Sequence, residues 1–143
     1  MFSLFKKDTE NKNNDNHLSL ISIAALLIHS AKIDENYTEK EKKIILKTVM
    51  NLDKINIKEA EELLKLAEAK EAESNQIVEF TKEIKKYSME FRLKIIEIIW
   101  KIVYSDGTSD SYESSLIRRI CGLLYVSDKD NGIIKMKVKN LLK

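Results

Sequence analysis

An all-α bundle is the fold class this 143-residue chain predicts, and three observations carry it. Proline is absent and glycine occurs three times, whereas average proteins carry roughly 5% and 7% of them and turn-rich sheet folds depend on them. Apolar residues make up 43% and charged residues 34% of the chain, enough to close the core of one domain of ordinary length. Beyond Leu18 the apolar positions recur at helical spacing, punctuated by Ser, Thr, Asp and Asn rather than by Gly or Pro. The reading is a single-domain, seven-helix bundle over residues 18–143, preceded by a flexible segment over 1–17. Asp8 to His17 contains no apolar residue and has nothing to bury against its ordering entropy.

The first helix runs from about Leu18 to Ile33 and is apolar nearly all round, broken by Ser19, Ser22, His29 and Ser30, the pattern of a central buried helix. The second opens at Thr38, whose side chain caps the helix while Glu41, three residues on, returns the bond; it ends near Leu52. A similar box, Asn56 with Glu59, starts the third, which carries the stripe Ala60, Leu63, Leu64 and Ala67 against an acidic outer face. The fourth, about Asn75 to Tyr87, buries Ile77, Phe80, Ile84 and Tyr87. Ser88 caps the fifth, Met89 to about Tyr104, whose apolar residues leave only a thin polar strip at Lys94, Glu97 and Lys101. This is the second central helix. The sixth, Ser111 to about Leu124, has Asp110 as cap and Glu113 in the box position; the seventh follows a Ser127 cap with Asp130 in its first turn.

Shifting the chain by 72 residues brings the first pair of helices into register with the fifth and sixth, each pair joined by an acidic loop: Asp34 falls on Asp106 and Glu41 on Glu113. The repeat predicts a pseudo-twofold bundle with both loops at one end. In each copy one carboxylate ends a buried helix and the other lies seven residues on, in the first turn of the next. Converging carboxylates of this kind suit a hard divalent cation, calcium or magnesium, so Asp34, Glu41, Asp106, Asp110 and Glu113 are the candidate ligands. The spacing is not that of an EF-hand, which has Gly sixth and Glu twelfth; counted from Asp106, Gly107 is second and Glu113 eighth. The competing reading is structural: Glu41 and Glu113 complete capping boxes, and Asp34 and Asp106 fix the turn through their own backbone. Gly107 supplies a positive φ in the second loop and Asn36 substitutes for it in the first.

A buried helix, Asp-Gly-x-x-Asp/Thr-x-x-Glu and a second helix, occurring twice, resembles the TerB-like (tellurite resistance) family of bacterial all-helical proteins. The stretch Glu113-Ser114-Ser115-Leu116-Ile117-Arg118-Arg119-Ile120, followed by Leu123-Leu124-Tyr125-Val126-Ser127-Asp128, is similar to an uncharacterised branch of it. The resemblance covers roughly Leu18 to Asn140. It implies a cytoplasmic bundle tied to tellurite or stress response, for which metal binding and protein association are the proposed roles and no catalytic activity is established. Its acidic motif carries over to Asp34, Glu41, Asp106 and Glu113, and the chain departs from it at Glu35, where Gly is the family's residue. The fold also occurs in a membrane-anchored J-domain co-chaperone, but with no Pro this chain has no His-Pro-Asp motif.

Composition and motifs exclude several classes. With 25 basic and 23 acidic residues no net field draws the chain to nucleic acid, and Arg92, Arg118 and Arg119 are the only guanidinium forks for phosphate or base contacts. A protein partner is the expected one. No apolar run reaches the roughly 18 to 20 residues of a membrane span; Phe2, Leu4 and Phe5 beside Lys6 and Lys7 allow only a weak peripheral membrane contact of residues 2–7. The apolar segment over residues 1–7 is too short to read as a secretory signal, and Cys121, the single cysteine, fits a reducing compartment. A nucleophile with an oriented base is not evident. Cys121 reads as a small buried filler, His29 as a helix-end histidine, and Trp100 and Tyr104 as core aromatics. The chain reads as a non-enzyme.

Overall fold

The structure is a computed structural model that describes residues 13–32, 37–74, 76–106 and 111–141, with backbone alone for 13–18, 106 and 111–114. Seven α-helices occur among the described residues: α1 (Asn13–Ala31), α2 (Glu39–Asp53), α3 (Ile57–Glu73), α4 (Val78–Ile84), α5 (Met89–Val103), α6 (Ser111–Leu123) and α7 (Asp128–Leu141). A 3₁₀ turn, Tyr104–Asp106, follows α5. No strand occurs among the described residues. The chain is all-α, as predicted.

Four of these helices, α2, α3, α5 and α7, start at side-chain caps. Thr38 Oγ1 accepts from the Glu41 amide at 3.1 Å while the Thr38 amide donates to Glu41 Oε1 at 2.8 Å. Asn56 and Glu59 form the same reciprocal box. Ser88 Oγ accepts from the Phe91 amide and Ser127 Oγ from the Asp130 amide. Each such cap is worth about 1 kcal/mol.

Two elements differ from the sequence reading. Helix α1 begins at Asn13, five residues before Leu18, because a polar turn rich in Asn and Asp extends a helix already nucleated by its buried part at little cost. Helix α4 is shorter than expected and ends at Ile84. Ser88 is extended, with ψ of 160°, to cap α5, so the chain leaves the helix before it. Tyr87 therefore stands in the turn, half-buried, with its ring 4.8 Å from that of Phe91.

Helix α1 is the hub. It packs on α3 and α4 most extensively and also meets α2, α5 and α6, while α5 meets α1, α2, α6 and α7. Every side chain from Ile23 to Ile28 is sealed, which is why α1 needs no polar face. Ile95, Ile96, Ile99, Trp100 and Ile102 do the same for α5. The stripe predicted for α3, Ala60, Leu63, Leu64 and Ala67, is buried as a set. Trp100 is a core aromatic: its Nε1–H donates to Asn131 Oδ1 at 2.9 Å and its ring stacks on Tyr104 at 5.6 Å.

Candidate functional site

The first acidic loop is bounded by the end of α1 and the start of α2, and α3 runs beside both. Of the predicted ligands, Glu41 is described in full: its side chain is almost sealed, and Oε1 accepts from both the amide and the hydroxyl of Thr38. Asp34 and Asp110, with Asn36 and Gly107, lie outside the described residues. Asp106 ends the 3₁₀ turn and Glu113 sits in the first turn of α6, and both side chains lie outside the description. So does the approach of one loop to the other. Residues 2–7 are outside it as well.

Where α3 runs beside the end of α1 and the start of α2, the structure gathers groups that the sequence reading left on a solvated face. Glu71 of α3, its side chain one-tenth exposed, accepts from Lys32 Nζ at 2.8 Å and faces His29 Nδ1 at 3.1 Å. An ionised carboxylate only accepts, so the imidazole donates. Burial works to raise the Glu71 pKa, but the hydrogen bonds and charges of Lys32 and His29 outweigh it and hold the carboxyl below its usual range. Glu68, one turn earlier, accepts the Tyr37 hydroxyl at 3.1 Å and pairs with Lys42 at 3.3 Å. Burial, then the neighbouring Glu68 charge, pushes the Tyr37 phenol far above its ordinary value, so it stays a donor. Lys32 and Lys42 stand 6.0 and 5.9 Å from the Tyr37 ring centroid.

The signal for Glu68 and Glu71 is faint but present. They lie four residues beyond the buried Leu64 and Ala67, which places them at the margin of the packed stripe rather than outside it.

A second charged cluster forms on the polar strip of α5. Glu97 Oε1 accepts from Lys137 Nζ at 3.1 Å, and its Oε2 lies 3.2 Å from Lys101 and 3.6 Å from Lys94. Burial again opposes the ionised form, and the hydrogen bonds from Lys137 and Lys101, with the charge of Lys94, win and lower the Glu97 pKa. Cys121 is fully buried and its thiol is pushed up to about 12 by that burial and by Asp128. It is a packed filler and carries no thiolate at neutral pH.

Chemically, the described carboxylates of both clusters are matched by donors from the chain itself. Among the described residues no three His, Cys, Asp or Glu side chains are arranged to hold a metal ion. No helix among them is long and apolar enough to cross a membrane.

No curated protein and no solved structure matches the chain. The family model "Tellurite resistance protein TerB" does match, over residues 20–136, a span that runs from α1 into α7 and contains both acidic loops. With that span covering most of its length, the chain belongs to the TerB family.

Proposed function

We propose that this TerB-family chain is a non-catalytic protein-interaction module, acting in the cytoplasm in tellurite or stress response. The observation that carries the reading is on α7: Ile133 and Met136, one turn apart, are 58% and 54% exposed, and Leu141 is exposed with them. Ile133 and Met136 share one outer face of α7, and adjacent exposed apolar side chains of this kind mark contact surfaces. The chemistry of the described groups supports the same reading, since Glu41, Glu68, Glu71 and Glu97 are engaged in caps and ion pairs and Cys121 is protonated. Affinity capture with the full chain, after brief crosslinking and with or without tellurite, should yield one protein in stoichiometric amount. An Ile133→Lys, Met136→Lys variant with unchanged far-UV circular dichroism should lose it. Retention of the same partner by that variant would refute the α7 assignment.

The second reading is a divalent-cation site, calcium or magnesium, formed by Asp34, Glu41, Asp106, Asp110 and Glu113. What favours it is the matched spacing of carboxylates across the 72-residue repeat (34 with 106, 41 with 113). Calorimetric titration of the metal-stripped protein reads it directly. Binding heat that vanishes in an Asp106→Ala, Glu113→Ala variant would support it, and no heat from either ion would end it.

A further inference from the structure

Three grooves between helices differ in the sign of their rims. The α2/α3 groove is balanced, with Glu39, Glu61 and Glu68 against Lys42, Lys43 and Lys65. The α5/α7 groove sets Glu90, Glu97 and Asp130 against Lys94 and Lys137. The α2/α5 groove, of about 600 Å³, is different: Lys47, Lys94 and Lys101 line it with no carboxylate, over a floor of Ile44, Leu52 and Ile98. Lys94 and Lys101 share Glu97 with Lys137, so three ammonium groups divide one carboxylate. Lys47 forms no ion pair with a described residue. The rim is left with surplus positive charge.

The complement of that groove is on the same chain. Glu59, Glu62, Leu66, Ala69 and Glu73 recur along α3 at alternating three- and four-residue steps, and all five are exposed. This spacing puts them in one stripe. It carries three carboxylates, no lysine, and Leu66, which is 52% exposed. Glu59 is occupied by its capping box, which leaves Glu62 and Glu73 as the acidic contacts.

We propose that the lysine-rimmed α2/α5 groove docks the acidic α3 stripe of a second copy of this chain. Leu66 seats on the floor between Ile44 and Ile98. Lys94 and Lys101 stand four residues before and three after Ile98, while Glu62 and Glu73 stand four before and seven after Leu66. At 1.5 Å per residue the charged groups then face each other at offsets of about 6 Å or less, within the reach of a lysine stem. Leu52 and Ile98 are 1% and 6% exposed, so they close the floor, and the half-buried Ile44 beside them gives Leu66 its apolar contact. Groove and stripe are different surfaces, which makes the contact head-to-tail. It is a small interface, at or below about 1,200 Å² in total, and therefore transient. The proposal is independent of what occupies α7 or the acidic loops.

The test is sedimentation velocity of the full chain from about 10 μM to about 1 mM, at low salt and in 1 M salt, where the screening length falls to about 3 Å. The parent should associate with rising concentration and dissociate at high salt. Lys47→Glu and Glu62→Lys, both at exposed positions, should each weaken association by about tenfold or more. Mixed in equal amounts they should recover a dimer, because one chain keeps an intact groove and the other an intact stripe. Lys43→Glu, in the balanced groove, should associate as the parent does. A parent that stays monomeric throughout, or variants whose mixture behaves as the sum of its parts, would overturn the proposal and leave the groove to another ligand.

Discussion

Helices α1 and α5 align in sequence at an offset of 72 residues, yet they accommodate their polar residues in opposite ways. In α1 the interruptions that face the core are short and neutral. Ser30, buried, donates to the Leu26 carbonyl of its own helix at 2.9 Å, and Ser22 accepts from Lys70 at 3.4 Å. The Ser30 hydroxyl, satisfied within its own helix, can be sealed on every side, and it is 1% exposed. In α5 the interruptions are charged, and Glu97 draws Lys94 and Lys101 from its own helix and Lys137 from α7. Ammonium groups keep their heads in water, so that side of α5 stays a surface with grooves. The difference teaches that two central helices of similar apolar pattern can play different parts: one is sealed along its middle, the other presents charge.

The largest effects should come where the two helices are alike. Leu27 and Ile99 occupy equivalent repeat positions, 72 apart, and both are fully buried. Replacing either by Ala should cost about 2–5 kcal/mol, read as a lowered urea midpoint with an unchanged slope. A loss below about 1 kcal/mol at one of them would show that its helix is not central in solution.

The next effect separates them. Glu97→Ala strands three lysines about a vacated carboxylate and should cost about 1–2 kcal/mol, between exposed and buried ion-pair values. Its pH dependence has a definite sign. The folded pKa of Glu97 is lowered, so its stabilisation is complete above the unfolded carboxylate value of about 4.3 and is lost as pH falls through the folded value. Glu97→Gln should therefore flatten the acid limb of the stability profile. An acid limb as steep as the parent's would remove Glu97 from the account.

A smaller effect lies where α6 ends against α5. Arg92 of α5 donates to the Leu124 carbonyl at 2.6 Å, and Tyr125, at φ of 59°, closes α6 in a left-handed turn. The bonds from the Val126 amide to Cys121 and from the Tyr125 amide to Gly122 complete it. Tyr125→Gly should be more stable than Tyr125→Ala by about 1 kcal/mol, the reverse of the order inside a helix. Equal stabilities would mean that the turn relaxes in solution. Smallest of all, Ser30→Ala should change stability by about 0.5 kcal/mol or less, since hydroxyl and bond are lost together within one turn.

These cases mark what was legible in the sequence. Caps at Thr38, Asn56, Ser88 and Ser127, and the stripes behind them, are local, and each could be read from residues three or four apart. The Lys94-Glu97-Lys101 strip was equally readable, but its third cation, Lys137, comes from a helix forty residues away. Glu68 and Glu71 were assigned to a solvated face because their partners, Tyr37, Lys42, His29 and Lys32, arrive from other elements. The left-handed turns at Lys54 and Tyr125 carry no glycine, so composition gave no sign of them. Of the candidate ligands, the capping role of Glu41 was visible in its spacing from Thr38. Whether it also serves a cation depends on residues beyond that box.

That question is the most direct test of the account, which holds that Glu41 is a cap serving a helical interaction module. Thermal unfolding should be followed for the metal-stripped parent, Glu41→Gln and Glu41→Ala, each with calcium and with magnesium. Glutamine completes a capping box as glutamate does, so the account predicts a Gln variant close to the parent and an Ala variant lower by about 3–6 °C, with no midpoint responding to either ion. A parent midpoint that climbs with the logarithm of cation concentration, and a Gln variant that has lost that response, would contradict it and make the acidic motif a metal site.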